Sequence, residues 1–143
     1  MTGRPAVSSA DTAFTGGRGG ATIVHVDGCL LMSVQGDIVS EGFRASSEQM
    51  LAAVRRQPRR AVIVDLSAVE VIDDIEFAAL VALAGPTRLL RARCVLSGLA
   101  PGIVAFLVSA DVPTTGLEVC RDVDDALAML RASDARRTGG ASA

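Results

Sequence analysis

Three carboxylates crowd one short stretch, Val71-Ile72-Asp73-Asp74-Ile75-Glu76-Phe77, and no other part of the chain offers residues whose type and spacing suit chemistry so well. Asp73 and Glu76 stand three residues apart. At that spacing an N-cap acid and an acid one turn later each serve the other's backbone N–H and start a helix. Acids in a first helical turn also gain about 0.3–1 kcal/mol each from the macrodipole. Asp74 has no such duty. At the first helical position its side chain projects into solvent, beside a second acid whose charge opposes part of the dipole benefit. A helix cap therefore explains two of the three acids and leaves Asp74 over. Asp73, Asp74, Ile75 and Glu76 are accordingly the candidate partner-binding and regulatory residues.

Other reactive side chains lack partners at useful spacing. His25, the one histidine, lies between Val24 and Val26 in a strand-like run, with no Cys or Ser set to be a nucleophile beside it. Cys29, Cys94 and Cys120 are an odd count without C-x-x-C spacing, which fits reduced thiols rather than a disulfide or zinc framework. Cys94 and Cys120 fall in apolar runs, where cysteine behaves as a small buried hydrophobe. The run Gly16-Gly17-Arg18-Gly19-Gly20 precedes a strand, whereas a phosphate cradle follows a strand and opens a helix. No catalytic residue, metal site or cofactor is expected, and the chain reads as non-enzymatic.

The elements that must position Asp73 and its neighbours follow from periodicity. Ala21–Val26 and Cys29–Val34 flank Asp27-Gly28, a strong hairpin signal because both turn residues tolerate positive φ. Phe43, Met50, Leu51 and Val54 share a helical face, and Pro58 ends that helix. Ala61–Leu66 is an unbroken apolar run, the pattern of a central parallel strand. Asp73 or Asp74 opens a second helix that buries Ile75, Ala78, Ala79, Ala82 and Leu83 and closes at Gly85-Pro86. Arg93–Ser97 is the next strand. A short helix follows from Pro101 with Val104, Leu107 and Val108, broken at Asp111–Pro113. Leu117–Cys120 is the last strand, and Asp122 caps a final helix carrying Val123, Ala126, Leu127 and Leu130.

This order predicts an α/β domain with a five-stranded mixed sheet over residues 21–133. Right-handed crossovers place the helices mainly on one face. Residues 1–20 and 134–143 carry few bulky apolar side chains and read as flexible tails. An incompletely covered sheet with no Lys to blunt its edge predicts self-association.

Composition narrows the function classes. The chain has 143 residues, half of them hydrophobic, enough for one core and one domain. Its 14 basic residues are all Arg and are outweighed by 16 acids, so no basic stripe is available to neutralise nucleic-acid phosphates. The longest strongly apolar stretch, Phe77–Ala84, is far short of the roughly 20 residues of a membrane helix. The first twenty residues hold no apolar signal-peptide core. A cytoplasmic chain without direct membrane insertion is expected.

Several short motifs occur in a telling order: Val64-Asp65-Leu66-Ser67, then Ile72-Asp73-Asp74, then Gly98-Leu99-Ala100-Pro101, then Asp122-Val123-Asp124-Asp125-Ala126-Leu127. Over Cys29 to Leu130 this resembles the STAS domain family, the sulfate-transporter and anti-sigma-factor-antagonist domains. Within it, Cys29-Leu-Leu-Met-Ser-Val-Gln35 looks most like the stressosome scaffold branch, the S-type regulators of sigma B. The resemblance implies an anti-sigma antagonist or stressosome-type scaffold. Its partner would be a serine kinase-type anti-sigma factor or switch kinase, docked through the loop and helix at Asp73-Asp74. Paralogous STAS proteins and a homo- or hetero-oligomer are implied as well. The family carries a phosphorylatable serine directly after the aligned Asp73, and Asp74 stands there instead. A carboxylate supplies a charge of about −1 against −1.5 to −2 for a phosphate, so it imitates the phosphorylated state in part. Regulation through another hydroxyl, Ser67, Ser97 or Ser109, stays open. So do a cytosolic STAS accessory subunit of a membrane transporter and a small-molecule or nucleotide sensor.

Overall fold

The computed structural model describes residues 14–15, 21–109 and 116–141, with side chains described over 21–109 and 116–137. The Asp27-Gly28 turn, with φ of 51° and 75°, reverses the chain between β2 (Ala21–Val26) and β3 (Cys29–Val34), which pair antiparallel. Positive φ at both central residues is what a tight hairpin requires. Ahead of them β1, only Phe14–Thr15, pairs antiparallel with β2. β4 (Ala61–Asp65), β5 (Arg93–Ser97) and β6 (Leu117–Cys120) then add in parallel, so the sheet runs in chain order from β1 to β6. The expected five-stranded mixed sheet is present as β2 to β6, with β1 as a two-residue addition.

Three helices cross between parallel strands: α1 (Glu41–Arg56), α2 (Asp74–Leu89) and α3 (Pro101–Ser109). Because the strands add in one direction, right-handed crossovers bring all three to one face. There Phe43, Met50 and Val54 of α1, Phe77, Leu80 and Leu83 of α2 and Ile103 of α3 bury Leu30, Met32, Val62, Val64 and Leu96. Helix α4 (Val123–Ala141) follows the last strand and lies on the opposite face. It sets Ala126, Leu127 and Leu130 against Cys29, Ala61, Ile63 and Val95. Alternate residues of β4 thus feed two cores, which is why its sequence shows no polar alternation.

Four expectations need correction. The expected flexible tails, 1–20 and 134–143, do not hold at Phe14–Thr15, which extends the sheet, or along α4, which runs on to Ala141, and the rest of those spans lies outside the described residues. A two-residue strand is too short to show a burial pattern in the sequence, and Asp134 holds α4 to the body by ion-pairing Arg60. Helix α2 does not close at Gly85-Pro86 but passes through Pro86 to Leu89. Proline removes one helical hydrogen bond. The buried Thr87 hydroxyl donates to the carbonyls of Leu83 at 2.9 Å and Ala84 at 3.0 Å in that turn. The helix ends instead with Arg91 at φ 66°, where Ala92 N donates to Thr87 O and Arg91 N to Arg88 O. That is a Schellman closure with arginine in the usual glycine position.

The buried face of α2 also differs from the expected one. Phe77, Leu80, Leu83, Ala84 and Thr87 are buried, whereas Ile75, Ala78 and Ala82 are exposed. On α3 the buried residue is Ile103, with Val104 and Val108 outward. In both helices apolar residues occupy more than one face, so periodicity alone has no unique phase. The proposed break at Asp111–Pro113 lies outside the described residues.

Candidate functional site

Asp73 is the N-cap of α2, with extended backbone at φ −108° and ψ −178°. Its carboxylate accepts from Glu76 N at 2.8 Å, and Asp73 N donates to Glu76 Oε1 at 3.1 Å. The reciprocal capping box anticipated from the spacing is complete. Asp74, at the first helical position, is exposed, and no side-chain hydrogen bond or ion pair engages it among the described residues. Sequence position thus separates two adjacent acids into one that closes a helix and one that faces solvent.

What the sequence reading missed is the apolar setting of that acid. Val71 is 78% exposed and Ile75 70% exposed, one on each side of Asp73-Asp74. Val39, on the loop that enters α1, is half exposed at the same carboxyl edge of the strands. Down α2 the exposed side continues through Ala78 and Ala82 to Leu89. Large aliphatic groups are thus left in water beside the acids of this edge, a composition that suits a protein-docking patch. The signal is the helical stripe Ile75-x-x-Ala78-x-x-x-Ala82, whose spacing suits a docking face as well as a core face.

The edge is braced from below. Asp65 Oδ1 accepts from Ser67 N at 3.1 Å and Oδ2 from Ser67 Oγ at 3.2 Å, while Leu66 N donates to Ser97 O. Gly98 closes against this turn at φ 74°, and a Cβ there would sit 2.8 Å from Asp65 Oδ1. The motif residues Asp65, Ser67 and Gly98 therefore form one support for the loop that leads to Asp73. Of the alternative hydroxyls, Ser97 is completely buried and closed to a kinase, while Ser67 and Ser109 are exposed.

The surroundings of the three thiols disfavour the thiolate form. Burial pushes Cys94 up to about 11 and raises Cys29 and Cys120, against the thiolate character a nucleophile needs. His25 lies beside Arg59, whose Nη2 is 3.2 Å from His25 Nε2. Among the described residues no cluster of His, Cys, Asp or Glu could hold a metal ion, and no helix is long and apolar enough to cross a membrane.

Known proteins agree with this architecture. No curated protein sequence gives a significant match. Among solved structures, an RsbS variant from Moorella thermoacetica with a serine replaced by glutamate superposes with a TM-score of 0.69 at 19% identity, covering 80% of this chain and 97% of that one. A chain from the stressosome, described as a signal integration and transduction hub, gives 0.68 at 20% identity, with 78% and 97% covered. The murine anion transporter Solute Carrier 26 family member A9 gives 0.56 at 13% identity, covering 85% of this chain and 22% of the transporter. The STAS domain model matches residues 21–126, which span β2 to β6, α1 to α3 and the start of α4. On that match the chain belongs to the STAS domain family.

Proposed function

We propose that this protein is a non-enzymatic antagonist or scaffold of the stressosome type, acting in the cytoplasm, that docks a serine kinase-type anti-sigma factor or switch kinase through Asp73, Asp74, Ile75 and Glu76. The observation that carries this reading is Asp74 projecting from the α2 N-terminus between the exposed aliphatic side chains of Val71 and Ile75. Val71 and Ile75 supply apolar contact area and the capping box holds the helix end rigid. Asp74 stands in for a phosphoserine as a permanent charge of about −1. Fold similarity to RsbS and to a stressosome chain supports co-assembly with paralogous STAS proteins. β6 is an edge strand of the sheet among the described residues, and its half-exposed Val119 suits such a contact.

Calorimetric titration of the cognate kinase with wild type and Asp74→Ser tests the role of the charge. Release of the imitation strengthens binding by about tenfold, the factor that 1.4 kcal/mol represents. Equal affinities, or weaker binding by the serine variant, reject the phosphate-mimic reading. The accessory-subunit alternative is favoured by the fold shared with the anion transporter. Co-purification with a permease instead of a kinase would select it.

A further inference from the structure

The opposite end of the sheet carries chemistry that the docking reading does not use. Arg59-Arg60 and Arg91-Ala92-Arg93 lead into the neighbouring strands β4 and β5, whose register sets Ala61 beside Arg93, with Arg93 N donating to Arg60 O at 3.1 Å. Parallel pairing therefore brings two arginine-rich segments together although 30 residues separate them in the chain. With Arg137 from α4 they line a cavity of about 590 Å³. Five of the 14 arginines converge there in a chain whose net charge is −2. Asp134 is the one acid in the lining.

The charges are not balanced internally. Asp134 is shared by Arg60 and by Arg137 at 2.9 Å. Glu118, from the neighbouring strand, takes Arg93 in two hydrogen bonds of 2.8 and 2.5 Å. Arg59 reaches Gln57 and His25, neither an anion, and its Nε is buried with no partner among the described residues. Arg91 has no ion pair or hydrogen-bonded side chain among the described residues, and it occupies the left-handed position that glycine normally fills. Two guanidinium groups thus remain uncompensated around a cavity of ligand size, where like charges repel unless an anion enters. Guanidinium forks match phosphate and carboxylate oxygens two at a time. The chain has no Trp or Tyr, and the described lining carries no aromatic ring on which a base could stack.

We propose that this arginine-lined cavity binds a small anion with two or more adjacent phosphate or carboxylate groups, held chiefly by Arg59 and Arg91. The site lies at the amino ends of β4 and β5, away from Asp74 at the carboxyl edge, and the proposal stands independently of the kinase-docking reading.

The test is isothermal titration and thermal unfolding of the full chain with inorganic pyrophosphate, with citrate to separate polycarboxylate from polyphosphate and orthophosphate as the single-group control. Binding of pyrophosphate or citrate about tenfold tighter than orthophosphate, weakening with added salt, is expected. Arg59→Gln and Arg91→Gly should each reduce that affinity severalfold and together about tenfold or more. Arg91→Gly should also leave the unliganded melting temperature unchanged or higher, because it places glycine at a left-handed position. A loss of affinity in that variant therefore cannot be misfolding. No thermal shift at millimolar pyrophosphate and citrate, or binding that both substitutions leave intact, overturns the proposal. Tighter capture of a Glu-rich peptide than of pyrophosphate also overturns it and makes the cavity a protein contact.

Discussion

The two ends of the sheet treat charge in opposite ways. At the carboxyl edge Asp73 and Glu76 bind backbone N–H groups of α2 and each other's segment, so that two of three acids are consumed by local structure. At the amino edge five arginines meet one lining acid, and the chain folds with two of them unneutralised. An acid beside a helix N-terminus is stabilised by backbone that any helix provides. Arginines gathered by strand pairing have no such built-in partner. Charge left over in the fold, Asp74 at one edge and Arg59 with Arg91 at the other, is what the two proposals rest on.

The largest break in this comparison should come from Gly98→Ala. It forces a side chain into the left-handed region and drives its Cβ to 2.8 Å from Asp65 Oδ1. A loss of about 2 kcal/mol or more is expected, measured by urea unfolding, with the Asp65–Ser67 turn disrupted and the amino edge unaffected. Asp73→Ala removes the cap and half of the capping box, so about 1 kcal/mol should be lost.

Arg93→Gln tests the internally balanced part of the arginine edge. The Arg93 guanidinium holds Glu118 below the usual carboxylate range. A folded pKa depressed below the unfolded value gives stability that is present above pH 4.5 and is lost as pH falls through the folded pKa. Wild type should therefore exceed Arg93→Gln by about 0.5–1 kcal/mol at neutral pH, discounted for a pair 37% exposed on each side. The two proteins should converge in acid. A difference that persists unchanged at pH 2 would assign it to packing instead. The smallest effect belongs to Asp74→Ser, a few tenths of a kcal/mol in unfolding experiments, since only an exposed dipole interaction is lost. A loss as large as that of Asp73→Ala would return Asp74 to a structural role.

The starts of β2 to β6 and of α2 and α4 were legible from the chain because their causes are local. Asp27-Gly28 admits positive φ, Asp73 and Glu76 have the capping spacing, and Asp122 accepts from Asp125 N at 2.8 Å as the cap of α4. The apolar run Ala61–Val64 likewise announces burial on both faces whatever surrounds it. Helix ends and faces were less legible. Gly85-Pro86 looks like a stop, but α2 continues because tertiary packing of Leu80, Leu83 and Thr87 outweighs one missing hydrogen bond.

By itself, then, the sequence determined the order of elements from β2 to α4, the central strand, the N-caps of α2 and α4 and the solvent-facing position of Asp74, all set by interactions spanning a few residues. Tertiary structure decided which side of α2 is buried. It turned Ile75 outward and Phe77 inward because the helix offers apolar residues on several faces and only the sheet selects among them. It also decided that Arg59, Arg60, Arg91, Arg93 and Arg137 share one cavity. Distant segments become neighbours through the parallel register of β4 and β5 and the docking of α4, and no local pattern in the chain encodes that meeting.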